Sequence, residues 1–302
     1  MKQRGKNQEQ LLQAQHSKVM KYRVVPMAVL FGSILVFYVV APLLLLPLRI
    51  VKVLYQGSYV FGTLLLLCNI FLLNHNYRVV KEKRHFAEPA GAIWFLCAIA
   101  VFGGILGAFL LAKYEGAYGF YSKELFLGMK ITRNMSLYGA MLFLPAVAYP
   151  FHLMVPLSCL RPQIKRNYDY LIIGCLSIMT FVKFGCHAAG CCAGIQIDPI
   201  LFGRGLFPVQ LMEALCLLAM LIFFMWYQMK CKRRILGASY PLGLLLYCPV
   251  RFVWEFFRSQ QGFDRMFVFS GLMTFWQFLS VLGFVAGAIW LGLLLWQNKK
   301  KA

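Results

Sequence analysis

Lys183, His187, Gln210, Glu213, Arg251, Glu255 and Arg258 all lie inside or at the ends of long apolar runs. A charged group at membrane depth costs several kcal/mol unless it is paired or hydrated, so these positions are the first candidates for chemistry. Arg251, Glu255 and Arg258 stand at i, i+4 and i+7 and are expected to share one helix face. Lys183 and His187 are one turn apart, as are Gln210 and Glu213. Glu213 and Glu255 are the only acids clearly within the apolar runs, and both fall in this set. Cations exceed anions, and arginine grips phosphate with a two-pronged fork whereas lysine supplies a point charge. The chemistry that fits is recognition of a lipid phosphate headgroup. Gly185, Gly190, Gly194, Gly203 and Gly205 permit close backbone approach or irregular backbone lining a cavity. Plainer readings exist for the same residues: a structural Arg251–Glu255 pair, and Arg258 and Lys183 snorkelling to the interface. His152 reads as a packing histidine.

Cys186, Cys191 and Cys192, with His187, look at first like metal ligands. The C-H-x3-C-C spacing is not a CxxC pair, and no second ligand cluster follows it. Structural zinc, a disulfide from Cys186 to one of the later pair, and small apolar packing all stay open. The sequence contains no GxSxG elbow, P-loop or HExxH.

The elements that must position these groups follow from composition. The 302-residue chain is 61% hydrophobic and 14% charged, whereas soluble domains are about 25% charged. Runs long enough to cross a bilayer, about 20 residues, cover 24–48, 57–77, 92–113, 136–160, 169–188, 207–229, 238–257 and 270–296. The expected fold is all-α: a polytopic helical membrane bundle of about eight transmembrane helices. Lysines and arginines cluster at 2–23, 78–84, 161–166, 230–234 and 299–301. With eight spans these are all the inner segments, which puts both termini in the cytoplasm. Residues 1–23 then form a basic cytoplasmic arm, and 24–302 form a single transmembrane domain. The net charge of +21 calls for no nucleic acid, because the charges sit between apolar runs and suit an anionic inner leaflet. Under this topology Lys183, His187, Gln210, Glu213, Arg251, Glu255 and Arg258 meet at the outer face.

Four stretches resemble the prolipoprotein diacylglyceryl transferase family. "VKFGCHAAGCCAG" is similar to its R-x-G-C-x-x-x-G-C-C-x-G variant, with Lys183 where the arginine stands and Gly194 in place. "FPVQLMEA" is similar to H-P-x-Q-L-Y-E, "RFVWEFFR" matches R-F-x-x-E-F-F-R, and "GLMTFWQFLS" echoes G-L-T-x-G-Q-x-L-S through Gln277 and Ser280. The family's H-G-G motif finds its nearest counterpart in "SLYGAM", which puts Tyr138 at the histidine. A family tyrosine falls at Phe61. The resemblance covers about 57–296, a seven-helix core preceded here by one extra helix at 24–48.

The resemblance implies an inner-membrane enzyme that moves the diacylglyceryl group of phosphatidylglycerol to the lipobox cysteine of a prolipoprotein signal peptide, with no cofactor or metal. By that likeness Arg251 holds the phosphate, Glu255 fixes Arg251, and Lys183 is a second cation. Tyr138 or His187 takes a proton. Gln210, Glu213, Arg258, Gly194 and Gln277 shape the substrate site. A related headgroup transferase with another acceptor, and a non-catalytic lipid-binding protein of the same fold, remain the alternatives.

Overall fold

The computed structural model describes residues 25–44, 46–81, 139–142, 144–145, 161–190, 194–197, 205–230, 235–258, 267–268 and 272–300. The arm 1–23, the run 92–113, most of 136–160, Tyr138, His152, Gly203, Cys191 and Cys192 lie outside the described residues.

Among the described residues there are six long helices: α1 (Val25–Val40), α2 (Leu48–Lys81), α3 (Arg161–Ala189), α4 (Val209–Lys230), α5 (Ser239–Phe256) and α6 (Phe275–Lys299). Four contain stretches long and apolar enough to cross a membrane: Arg49–Asn69, Tyr168–Ala189, Val209–Gln228 and Phe275–Lys299. The run expected as one helix over 24–48 is not continuous. It is α1, then a 3₁₀ turn over Ala41–Leu44, then the start of α2. Pro47 sets the break: it cannot donate a backbone hydrogen bond, and its carbonyl instead accepts from Ile50 and Val51 to start the new helix. α2 therefore begins nine residues before the expected 57.

α3 is the axis of the bundle. Its spanning stretch is 72% buried, against 17–44% for the other three. Helices approach closely in lipid where side chains are small, and α2 meets α3 in this way. A Cβ on Gly62 would lie 2.8 Å from the Ile178 backbone. Asn69 Nδ2 donates to Ser177 Oγ at 3.1 Å across this seam. α1 sits alongside, with Phe31, Leu35 and Tyr38 forming one apolar cluster with Phe181, Phe184 and Ala188 of α3 and Ala214 of α4. The Tyr38 hydroxyl donates to the Leu54 carbonyl at 2.6 Å.

Glu213 and Glu255 are not alone as acids inside the bundle. Asp169, at the ragged edge of its apolar run, is 2% exposed. Its carboxylate accepts from the Gly237 and Ser239 backbone N–H groups at 2.9 and 3.1 Å. Free N–H groups at a helix start carry partial positive charge, so this acid ties α3 to the start of α5. Gln228, near the end of α4, joins by donating to the Asp169 carbonyl at 2.6 Å and Ser239 Oγ at 3.2 Å.

Strand structure is minor but not absent. Phe267–Val268 (β1) pairs antiparallel with Met273–Thr274 (β2). After α3, backbone 194–197 pairs with 205–207, and Gly194 also bridges to Arg258.

Candidate functional site

At the end of the bundle away from Asp169, α3, α4 and α5 converge on Glu213. This residue is completely buried. Lys183 Nζ donates to its Oε2 at 2.6 Å, and the Tyr247 hydroxyl donates to Oε1 at 2.7 Å. Arg251 Nη1 approaches Oε2 at 3.8 Å. Arg251 Nη2 lies 2.9 Å from Glu255 Oε2, with Arg258 Nη1 3.7 Å from the same oxygen. Four ionic groups on α3, α4 and α5, with Arg258 just past the end of α5, thus make one network of three cations and two carboxylates. One positive charge is left over in surroundings where water screens poorly. Arg251 is 4% exposed, and its Nη1 has no hydrogen-bond partner among the described residues. That nitrogen is what the network offers to a further anion.

Local sequence explains the placement. Tyr247, Arg251 and Glu255 are successive i, i+4 positions on α5 and share one face of it, from which Tyr247 and Arg251 reach Glu213. Arg258 departs from the expected helix face: α5 ends at Phe256, and Phe257 caps it with its N–H on Trp254 and Glu255 carbonyls. The chain then leaves the helix to bridge with Gly194, yet Arg258 still reaches Glu255 from the tail. α3 stops at Gly190, whose φ of 71° is a left-handed conformation that glycine adopts without strain. His187 is half-buried in the last turn of α3, one turn beyond Lys183. Gln210 is buried in the first turn of α4, one turn before Glu213.

Gly194 is required by packing. A Cβ there would run into the Phe207 carbonyl and lie 2.8 Å from Val209 Cγ2 and 2.9 Å from the Phe257 carbonyl. Gly194→Ala is expected to cost about 1–3 kcal/mol by overpacking, seen as a lower thermal midpoint of the detergent-purified protein; an unchanged midpoint counters this account. Gln277 serves a helix start. Its Oε1 accepts from Thr274 N–H at 2.9 Å, and Thr274 Oγ1 accepts from Gln277 N–H at 3.2 Å. This reciprocal cap opens α6 beside the site, and Trp276 there places its ring 5.7 Å from the Arg251 guanidinium carbon.

Tyr247 and Trp276 are the contacts that sequence reasoning missed. The i−4 offset of Tyr247 from Arg251 was the available signal for the first; Trp276 gave none. Among the described residues, no three His, Cys, Asp or Glu side chains gather as metal ligands. Cys186 is buried on α3.

Four helices of membrane-crossing length and composition, with a buried ionic network at one end of the bundle, define a helical membrane protein. The family profile described as prolipoprotein diacylglyceryl transferase matches residues 58–293, and the chain belongs to that family. It is also 26% identical over 132 residues to phosphatidylglycerol–prolipoprotein diacylglyceryl transferase 2 of Clostridium perfringens (strain 13 / Type A). That alignment covers 40% of this chain and 49% of the relative, so the chain spans about half the length of the curated protein it matches. α1 precedes the matched region.

Proposed function

We propose that this protein transfers the diacylglyceryl group of phosphatidylglycerol to the lipobox cysteine thiol of a prolipoprotein at the outer face of a bacterial inner membrane. Supporting this are the family membership and, above all, the buried Arg251 Nη1 held in a network with one surplus positive charge. In the reaction the cysteine sulfur attacks the glyceryl carbon and a carbon–sulfur bond forms. The carbon–oxygen bond to the phosphate breaks, glycerol phosphate leaves with the electron pair, and the thiol proton passes to a base. Arg251 holds the phosphate and stabilises its growing charge. Glu255 and Arg258 fix Arg251 from the other side. Lys183 and Tyr247 hold Glu213, Gln210 lines the headgroup site beside it, and Gly194 lets the backbone pack closely against Phe207 and Phe257 next to Arg258. Gln277 acts through the start of α6. Tyr138 or His187 serves as the base.

The topology that goes with this reading has eight spans and both termini in the cytoplasm. A basic arm covers 1–23, an extra first helix falls within 24–48, and a seven-helix core runs to about 296. The proposed partners are phosphatidylglycerol, the signal peptide of a prolipoprotein and the surrounding lipid. A second reading keeps the same donor with another acceptor, and Lys183, which stands where the family signature has arginine, is the departure from the family pattern that raises it.

Complementation separates these. Rescue of a strain depleted of its own diacylglyceryl transferase, lost on Arg251→Ala, is the expected result. Failure to rescue with turnover of phosphatidylglycerol by the purified protein supports the second acceptor. Failure of both counts against catalysis and leaves a lipid-binding protein of the same fold.

A further inference from the structure

We propose that Trp276 is a positioning residue for Arg251, keeping the guanidinium edge turned toward the lipid phosphate and away from Glu213. This rests on the donor-lipid reading above and adds a residue to that site.

A guanidinium is a flat cation with two faces and a rim of N–H donors. In Arg251, one end of the rim pairs with Glu255 at 2.9 Å. The Trp276 ring lies 5.7 Å from the guanidinium carbon, within the range where an indole attracts a cation. At the other end of the rim, Nη1 stops 3.8 Å from Glu213, beyond hydrogen-bonding distance, and has no hydrogen-bond partner among the described residues. A buried, unsatisfied donor beside a buried carboxylate has every electrostatic reason to close that gap. The Glu255 pair alone does not prevent it, since the guanidinium can pivot about that contact. The indole supplies a second contact that opposes this pivot.

Trp276 is itself held firmly. The reciprocal Thr274–Gln277 cap sets the first turn of α6, and Ser280 Oγ donates to the Trp276 carbonyl at 2.8 Å. Gln277 and Ser280 are both buried, at 4% and 1% exposure. These two residues of the fourth sequence motif therefore support the indole that supports the arginine. Loss of the ring lets Nη1 settle on Glu213, and a phosphate must then break that contact before it binds.

The test uses the full chain in mixed phosphatidylglycerol–phosphatidylcholine vesicles, with a lipobox peptide as acceptor. Initial rates are measured against the surface fraction of phosphatidylglycerol. Trp276→Leu is expected to raise KM about tenfold while kcat changes less than threefold, and Trp276→Phe is expected to keep KM within threefold of the parent. Fluorinated tryptophans placed at 276 alone drain the ring's negative face without changing its shape, and KM is expected to rise stepwise with fluorine number. An unchanged KM in Trp276→Leu, or a Phe variant as impaired as the Leu variant, overturns the inference. Should Trp276→Leu fail to fold, the fluorinated series decides, and a KM indifferent to fluorination overturns it. A parent protein inert toward phosphatidylglycerol sinks the functional reading and this inference together. An active parent with the flat responses just described sinks this inference alone.

Discussion

Glu213→Ala is expected to be the most destabilising single substitution in the ionic network, lowering the thermal midpoint of the detergent-purified protein by about 10 °C. The residue is fully buried and takes hydrogen bonds from Lys183 and Tyr247, with Arg251 close by. Its removal leaves three cations facing a single carboxylate, and breaking a buried pair by deleting one partner costs about 3–5 kcal/mol because the other charge stays behind. Glu213→Gln keeps the shape and one acceptor, so its loss should be smaller. The double variant Glu213→Gln with Lys183→Met removes the Lys183–Glu213 pair together, and should recover part of the loss. A melting curve for Glu213→Ala that overlays the parent would mean that the network is not what holds these helix ends together.

For Arg251→Lys the expected pattern is the reverse: a folded protein with a large loss of function. The net charge of the network is unchanged, so the melting midpoint should move by only a few degrees. An ammonium, however, cannot pair with Glu255 and present a second donor on a fixed plane at the same time. If Arg251 carries the developing phosphate charge, turnover of labelled phosphatidylglycerol in vesicles should fall by about 10²–10³, the usual cost of losing a preorganised donor at a charged transition state. Near-parental turnover in Arg251→Lys would relegate Arg251 to a structural cation. Trp276→Leu should fall between the two cases, with its effect confined mainly to KM.

Much of this ionic network is legible in the sequence, for one reason: ions are expensive in lipid, so each ion in an apolar run must answer to another. Lys183, Glu213, Arg251 and Glu255 announced themselves in this way, and helical spacing put the last two on one face. Tyr247 did not, since a tyrosine in an apolar run packs as readily as it hydrogen-bonds. Trp276 did not either, because an aromatic next to a helix start carries no signal about which cation it faces. Thr274 and Gln277, by contrast, have the spacing of a reciprocal helix cap, and the Gln277 side-chain oxygen accepts from the Thr274 N–H. Asp169 was missed because it sits on the border of its hydrophobic stretch, where composition cannot separate a solvated acid from a buried one. The first helix was drawn too long for a related reason. Apolar character continues unbroken from α1 into α2, and only the backbone chemistry of Pro47 divides them.

α1 lies ahead of the family-matched residues and runs along α3, and its apolar cluster includes Ala214, the immediate neighbour of Glu213. Along that flank α1 packs its Phe31, Leu35 and Tyr38 inward. On the donor-lipid reading, a two-tailed molecule arriving from that side would meet Val29, Val36 and the other exposed side chains of α1 before it came near Glu213.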